Sequence, residues 1–152
     1  MLDWHDRAFG ELTAAEIYAI IGLRERVFVV EQACAYLDAD GVDPMCRHLW
    51  AADGVPIIAY LRIVPAGTRY PEVSIGRVVT APEARGTGLG RELMRRGIAA
   101  VRAHHGDVAI RLGAQAHLER FYTELGFRRI SDLYDEDGIP HVYMLRDPGE
   151  HA

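Results

Sequence analysis

Arg85-Gly86-Thr87-Gly88-Leu89-Gly90 is a stretch whose residue types and spacing suit the binding of a phosphate or pyrophosphate. Before it runs an apolar, β-branched segment, Ile75-Gly76-Arg77-Val78-Val79-Thr80, closed by Pro82; after it Leu89, Leu93, Met94, Ile98 and Val101 recur at helical spacing. A strand, a glycine-rich turn and a helix start expose backbone N–H groups at the positive end of the helix dipole. Gly86, Gly88 and Gly90 let that backbone approach an anionic ligand, because no Cβ stands in the way.

Two common phosphate motifs do not match. No Lys-Ser or Lys-Thr follows the last glycine, as a nucleoside triphosphate loop requires, and the glycines at 86, 88 and 90 miss the dinucleotide spacing G-x-G-x-x-G. The segment reads as Arg/Gln-x-x-Gly-x-Gly/Ala. It resembles the coenzyme A pyrophosphate loop of the GNAT acetyltransferases; the plain alternative is a turn that merely joins a strand to a helix. Gln115-Ala116-His117-Leu118-Glu119-Arg120-Phe121-Tyr122, followed by Leu125-Gly126-Phe127, is similar to a second GNAT motif. Phe28-Val29-Val30-Glu31-Gln32, Asp38-Ala39-Asp40-Gly41-Val42-Asp43, Gly113 to Leu118 and Tyr134 to His141 resemble the ElaA-like branch, and the likeness runs from about Trp4 to Met144.

The resemblance implies an α/β (α+β) GNAT acyl-CoA N-acyltransferase fold. Its mixed, mostly antiparallel central sheet is splayed at the fourth and fifth strands and flanked by helices. The implied cofactor is acetyl-CoA as acyl donor, with no metal. Its pyrophosphate is expected on Arg85, Gly86, Thr87, Gly88, Leu89 and Gly90, and its pantetheine arm along Val78-Val79-Thr80. An amide of Val79 or Thr80 would stabilise the oxyanion, a contact that strengthens as charge develops. Tyr122 matches the tyrosine that faces the thioester sulfur, and a phenol with a pKa near 10 can protonate a leaving thiolate; its competing role is helix packing with Leu118, Phe121 and Leu125. Gln115 is expected either to hydrogen-bond the cofactor or to cap the following helix. Glu31 is the first choice of base, since burial beside Val27-Phe28-Val29-Val30 would raise its pKa; His117 and His141 are alternatives.

Composition bounds the reading. A chain of 152 residues, nearly half hydrophobic, suffices for one core, and a single domain over 1–147 with a tail at 148–152 is expected. No apolar stretch approaches the roughly 20 residues of a membrane helix, and Met1-Leu2-Asp3-Trp4-His5-Asp6 has no signal-peptide pattern, so a cytoplasmic protein with no membrane partner is expected. Cys34 and Cys46 are too few for a disulfide framework, and no C-x-x-C or H-x-x-x-H spacing suggests zinc. His104-His105 reads as a complement to a helix C-terminus.

Net charge is −5, and all 17 basic residues are arginine. A chain without lysine cannot acetylate its own side-chain amines, and an acidic chain is a poor nucleic-acid binder. Arg77, Arg85, Arg91, Arg95, Arg96 and Arg102 gather around the loop and its helix, where they favour attraction of a polyanionic cofactor. Two acidic runs, Glu31 to Asp43 and Asp132 to Asp137, contain no basic residue. They are expected either as solvated loops or as walls receiving a cationic acceptor.

The elements that position these residues follow from pattern. Thr13-Ala14-Ala15-Glu16 is a capping box, which predicts a helix over about 14–29. Strands are expected at 47–52 and 55–64 around a tight Asp53-Gly54 turn, then at 73–80. A helix over 88–103 ends at Gly106, Val108 to Leu112 is a short strand, and a helix over 116–125 stops at Gly126. A final hairpin pairs 128–134 with 140–146. The resulting expectation is an acetyl-CoA-dependent N-acetyltransferase acting on a small-molecule or peptide amine by direct attack. Two alternatives stand beside it: a non-catalytic acyl-CoA sensor, and an acyl-homoserine-lactone-synthase-like enzyme, suggested by Leu23-Arg24-Glu25-Arg26-Val27-Phe28. No motif names the acceptor, and GNAT proteins often dimerise.

Overall fold

A computed structural model describes residues 1–150; of the tail expected at 148–152, His151 and Ala152 lie outside the described residues. The chain runs β1 (Asp3–Ala8), α1 (Ala14–Arg24), a π-helical turn (Glu25–Glu31), β2 (Arg47–Ala52), β3 (Ile57–Val64), β4 (Val73–Thr80), α2 (Leu89–His105), β5 (Ile110–Gln115), α3 (Glu119–Thr123), β6 (Arg128–Arg129), β7 (Tyr134–Glu136) and β8 (Ile139–Arg146). One sheet takes the order β1-β2-β3-β4-β5-β8-β6, with β7 also on β8. All pairs are antiparallel except β4–β5. This is the mixed, mostly antiparallel α/β sheet flanked by helices that the resemblance implied.

The parallel pair is short. Val73 opposes Ile110 and Ser74 opposes Arg111, and there the pairing ends, although β4 runs on to Thr80 and β5 to Gln115. A bulge against β3, between Tyr60 and Arg62, accompanies the departure, and Arg77 there adopts φ +50°. Bulges bend a strand and increase its twist, so the second half of β4 leans away from β5.

Period-two alternation covers both faces of the sheet. Leu49, Ala51, Leu61, Ile63 and Ile75 pack beneath α2 through Leu89, Leu93, Met94 and Val101. A Cβ on Gly97 would lie 2.7 Å from Leu61, so this glycine lets α2 sit close on β3. On the opposite face Trp50, Tyr60 and Val79 receive Ile20, Leu23 and Val27.

Several boundaries shift from the pattern-based expectation. The capping box forms as written: Glu16 N–H donates to Thr13 Oγ1 at 3.1 Å and Thr13 N–H to Glu16 Oε1 at 2.9 Å. The helix does not stop near 29 but widens; Gln32 N–H reaches Val27 O and Cys34 N–H reaches Val29 O, both five residues back. The first hairpin loop takes four residues, with Ala52 opposite Ile57. β5 lies two to three residues later than expected. The helix predicted over 116–125 is a 3-10 turn, Ala116–Leu118, followed by α3. Its end is closed as expected: Gly126 takes φ +92°, and Phe127 N–H donates to Tyr122 O at 3.1 Å. β1 is an unpredicted strand.

Candidate active site

The separation of β4 from β5 opens a cleft of about 820 Å³, and a second chamber of about 410 Å³ adjoins it at the glycine loop. Val78, Val79, Thr80, Arg85, Leu118 and Tyr122 line both. The sequence-predicted residues of the loop, the strand and the second motif therefore meet at one place. Gly86 and Gly88 hold φ of +77° and +81°, a conformation costly for other residues. Gly90 has an ordinary φ, and a Cβ there would meet Phe121 and Thr80 only at van der Waals distance. Thr87 Oγ1 donates to Ala84 O at 2.8 Å and stiffens the turn. Gly88 caps α2, and the first N–H groups of that helix have no preceding turn to bond.

The amides of β4 divide by alternation. Ala81 N–H donates to Ile58 O at 2.8 Å. Bonded positions alternate along an antiparallel ladder, so Val79, opposite Tyr60, is directed at β3, while Thr80 turns its N–H and C=O toward the gap. Of the two amides expected to face an acyl oxygen, Val79 is thus already committed to the sheet.

Tyr122 is buried in α3, with its ring edge-on to Phe121 and Phe127 at centroid distances of 5.1 and 6.0 Å. Burial pushes its phenol up to about 12, so it stays protonated throughout the neutral range. Gln115 ends β5. It makes no capping bond to the turn that follows; its Nε2 donates to Gln32 Oε1 at 3.2 Å.

Glu31 contradicts the reason given for it as a base. Its side chain is 39% exposed and forms a two-pronged pair with Arg85, at 2.5 and 3.0 Å. The Arg85 guanidinium holds this carboxyl below its ordinary value, the opposite of the expected rise. The π-helical turn swings Glu31 out of the apolar run that was to bury it. His117 and His141 both line the cleft. His141 is buried, with Nδ1 2.7 Å from Ile139 O and Nε2 3.2 Å from Glu136.

The charge clusters also rearrange. Arg77 does not serve the loop: it bonds Asp38 and Asp40 at 3.0 and 3.2 Å. Arg91 pairs with Glu124, Arg96 with Glu92, and Arg102 lies 3.8 Å from Asp107. Most of the first acidic run is neutralised from within. Arg24, fully buried, holds Asp38 and Asp43 at 2.9 and 2.8 Å, and Arg62 holds Asp40 and Asp43 at 2.6 and 2.9 Å. Burial opposes ionisation of Asp43, but Arg24 and Arg62 outweigh it and keep the carboxyl below its ordinary range. Of the second run, Asp135 accepts the Gly138 N–H at 3.2 Å and Glu136 meets His141. Asp137, at φ +52°, stands in the cleft wall, as do Tyr36 and Tyr70. Asp137 belongs to the second acidic run, expected either as a solvated loop or as an acceptor wall; Tyr36 and Tyr70 were not singled out by the sequence.

Both cysteines are free. Cys34 lines the cleft and lies 3.4 Å from Asp137 O. Cys46 lies outside it, and burial pushes its thiol up to about 11. Among the described residues no helix is long and apolar enough to cross a membrane, and no cluster of metal-ligating side chains forms.

The Acetyltransferase (GNAT) domain family matches residues 30–147. Protein ElaA of Escherichia coli is 40% identical over 149 residues, covering 97% of each chain. Its crystal structure superposes with a TM-score of 0.92 at 39% identity over 97% of this chain and 100% of that one. An acyl-CoA N-acyltransferase from Pseudomonas aeruginosa gives a TM-score of 0.93 at 42% identity over 96% of this chain and 99% of that one.

Proposed function

The chain belongs to the GNAT acetyltransferase family, ElaA-like branch, and on that premise we propose that it transfers acetyl from acetyl-CoA to an amine nitrogen by direct attack in a ternary complex. The single observation that carries this reading is the splayed gap between β4 and β5, flanked by the Gly86–Gly90 loop and closed on one side by Tyr122. The pyrophosphate would rest on the N–H groups of Gly86 to Gly90 and on Arg85. The pantetheine arm would pair with the free edge of β4 at Val78 to Thr80. The acyl oxygen would take the Thr80 N–H, which faces the gap and is fixed before the reaction begins.

The amine nitrogen attacks the thioester carbon, the C–N bond forms, and the C–S bond breaks. The sulfur leaves with a proton from the Tyr122 hydroxyl. The nitrogen gives up its proton toward His117, His141 or water in the open cleft, and solvent reprotonates the phenol. A phenol pushed up to about 12 carries its proton at every working pH. The thiols support direct attack by their partners: Cys46 is outside the cleft, and Cys34, although in its wall, is directed at the Gln32 and Asp137 carbonyl oxygens. The acceptor is read only as a primary or secondary amine, small molecule or peptide.

Tyr122→Phe tests the assignment. It keeps the ring packing on Phe121 and Phe127 and removes the donated proton. The expected result is a fall in kcat of about 10²- to 10⁴-fold with the Kd for coenzyme A unchanged. A variant with wild-type kcat contradicts the role. Cys34→Ser is expected to retain turnover, whereas loss of turnover with normal coenzyme A binding favours a covalent intermediate.

A further inference from the structure

The π-helical turn that follows α1, with Gln32 at its C-terminal cap, makes three polar contacts across the splayed mouth. Arg26 reaches Glu83 at 2.7 Å and Glu31 reaches Arg85 at 2.5 Å, both on the segment that leads from β4 into the glycine loop. Gln32 Oε1 accepts from Gln115 at the end of β5. One π-helical turn thereby spans the two strands between which the cofactor would run. Arg85 and Gln115 are the two side chains whose polar ends the cofactor reading needs. In this structure Glu31 holds the one and Gln32 holds the other.

We propose that Glu31 is a latch on the cofactor site: it competes with the diphosphate of coenzyme A for Arg85 and is displaced when the diphosphate binds. The exchange balances in charge, since Arg85 passes from one carboxylate to a phosphate oxygen and Glu31 is left as a free carboxylate in the cleft wall. An exposed two-pronged pair is suited to this exchange. It is strong enough to orient Arg85 and weak enough to yield to a polyanion that also gains the helix N-terminus. The turn is wide because its amides reach back five residues, and turns of this kind concentrate at working sites.

The inference rests on the loop being the coenzyme A site, and a double-mutant cycle separates the two claims. Coenzyme A affinity is measured by calorimetry for the wild type, Glu31→Gln, Arg85→Gln and the double variant. The latch predicts that Glu31→Gln tightens coenzyme A by about two- to fivefold, the worth of one exposed pair. It also predicts that Arg85→Gln weakens binding, and that Glu31→Gln brings no gain in the Arg85→Gln background. A gain that persists without Arg85 is plain charge removal and overturns the latch. No gain, or weaker binding, in the single Glu31→Gln variant also overturns it and leaves the loop assignment standing. Coenzyme A binding indifferent to Arg85, or absent in the wild type, overturns the loop assignment and the latch together.

Discussion

Two sets of arginine–carboxylate pairs lie side by side where α1 runs into its π-helical turn, and they differ in one variable. At the C-terminal end of α1, Arg24 is fully buried and holds Asp38 and Asp43, which it shares with Arg77 and Arg62; those two also hold Asp40. In the π-helical turn that follows, Arg26–Glu83 and Glu31–Arg85 use the same chemistry with each side chain about 39–56% exposed. Burial decides what such a pair can do. A desolvated guanidinium has no alternative partner, so the inner network is a permanent scaffold that ties the 38–43 loop to β3 and β4. A hydrated pair can trade its carboxylate for another anion at little cost, so the outer one is open to a ligand.

Asp43→Asn should produce the largest effect. Asp43 bonds both Arg24 and Arg62, and removing one partner of a buried ion pair strands charge, costing about 3–5 kcal/mol. Urea unfolding should show a lower midpoint with an unchanged slope; a shift no larger than that of a surface variant would break the comparison. The network also sets a pH response. Asp40 and Asp43 are held below their ordinary pKa of 3.8. The stability they confer is therefore complete above that value and is lost as pH falls through the depressed folded values. Acid unfolding followed by circular dichroism should begin below about pH 4, and Asp43→Asn should flatten that dependence.

The outer pairs should behave in the opposite way. Glu83→Gln and Glu31→Gln should leave Tm within error of the wild type, because exposed pairs contribute little to folding. Raising salt should erase any difference in coenzyme A affinity between Glu31→Gln and the wild type, since screening acts on the exposed pair and hardly on the buried one. A Tm drop in Glu31→Gln comparable to that of Asp43→Asn would show that the two regions are one structural unit.

The legible parts of this molecule are those written in short range. The strand–loop–helix around 85–90, the capping box at Thr13 and the αL stop at Gly126 each depend on residues within a few positions. All appear in the structure where the pattern puts them. β1 was not legible, because Asp3-Trp4-His5-Asp6-Arg7-Ala8 carries no apolar run. It is held by pairing with β2, by the His5 ring stacked 4.8 Å from Trp50, and by Arg96 over Trp4 at 4.3 Å. The site was legible in its donors and illegible in its charges. Arg85 and Glu31 are 54 positions apart, and Arg77 and Asp38 are 39 apart. No local pattern says which carboxylate an arginine will meet. The error over Glu31 has the same origin: neighbours along the chain were apolar, and the neighbour in space was a guanidinium.

The central claim is acyl transfer to an amine, and the most direct test is release of free thiol from acetyl-CoA against primary amines, polyamines and short peptides. The account predicts release that depends on an added amine and appears as an equal amount of acetylated product. Tight coenzyme A binding with no amine-dependent release across the panel would contradict it and favour a sensor built on the same loop.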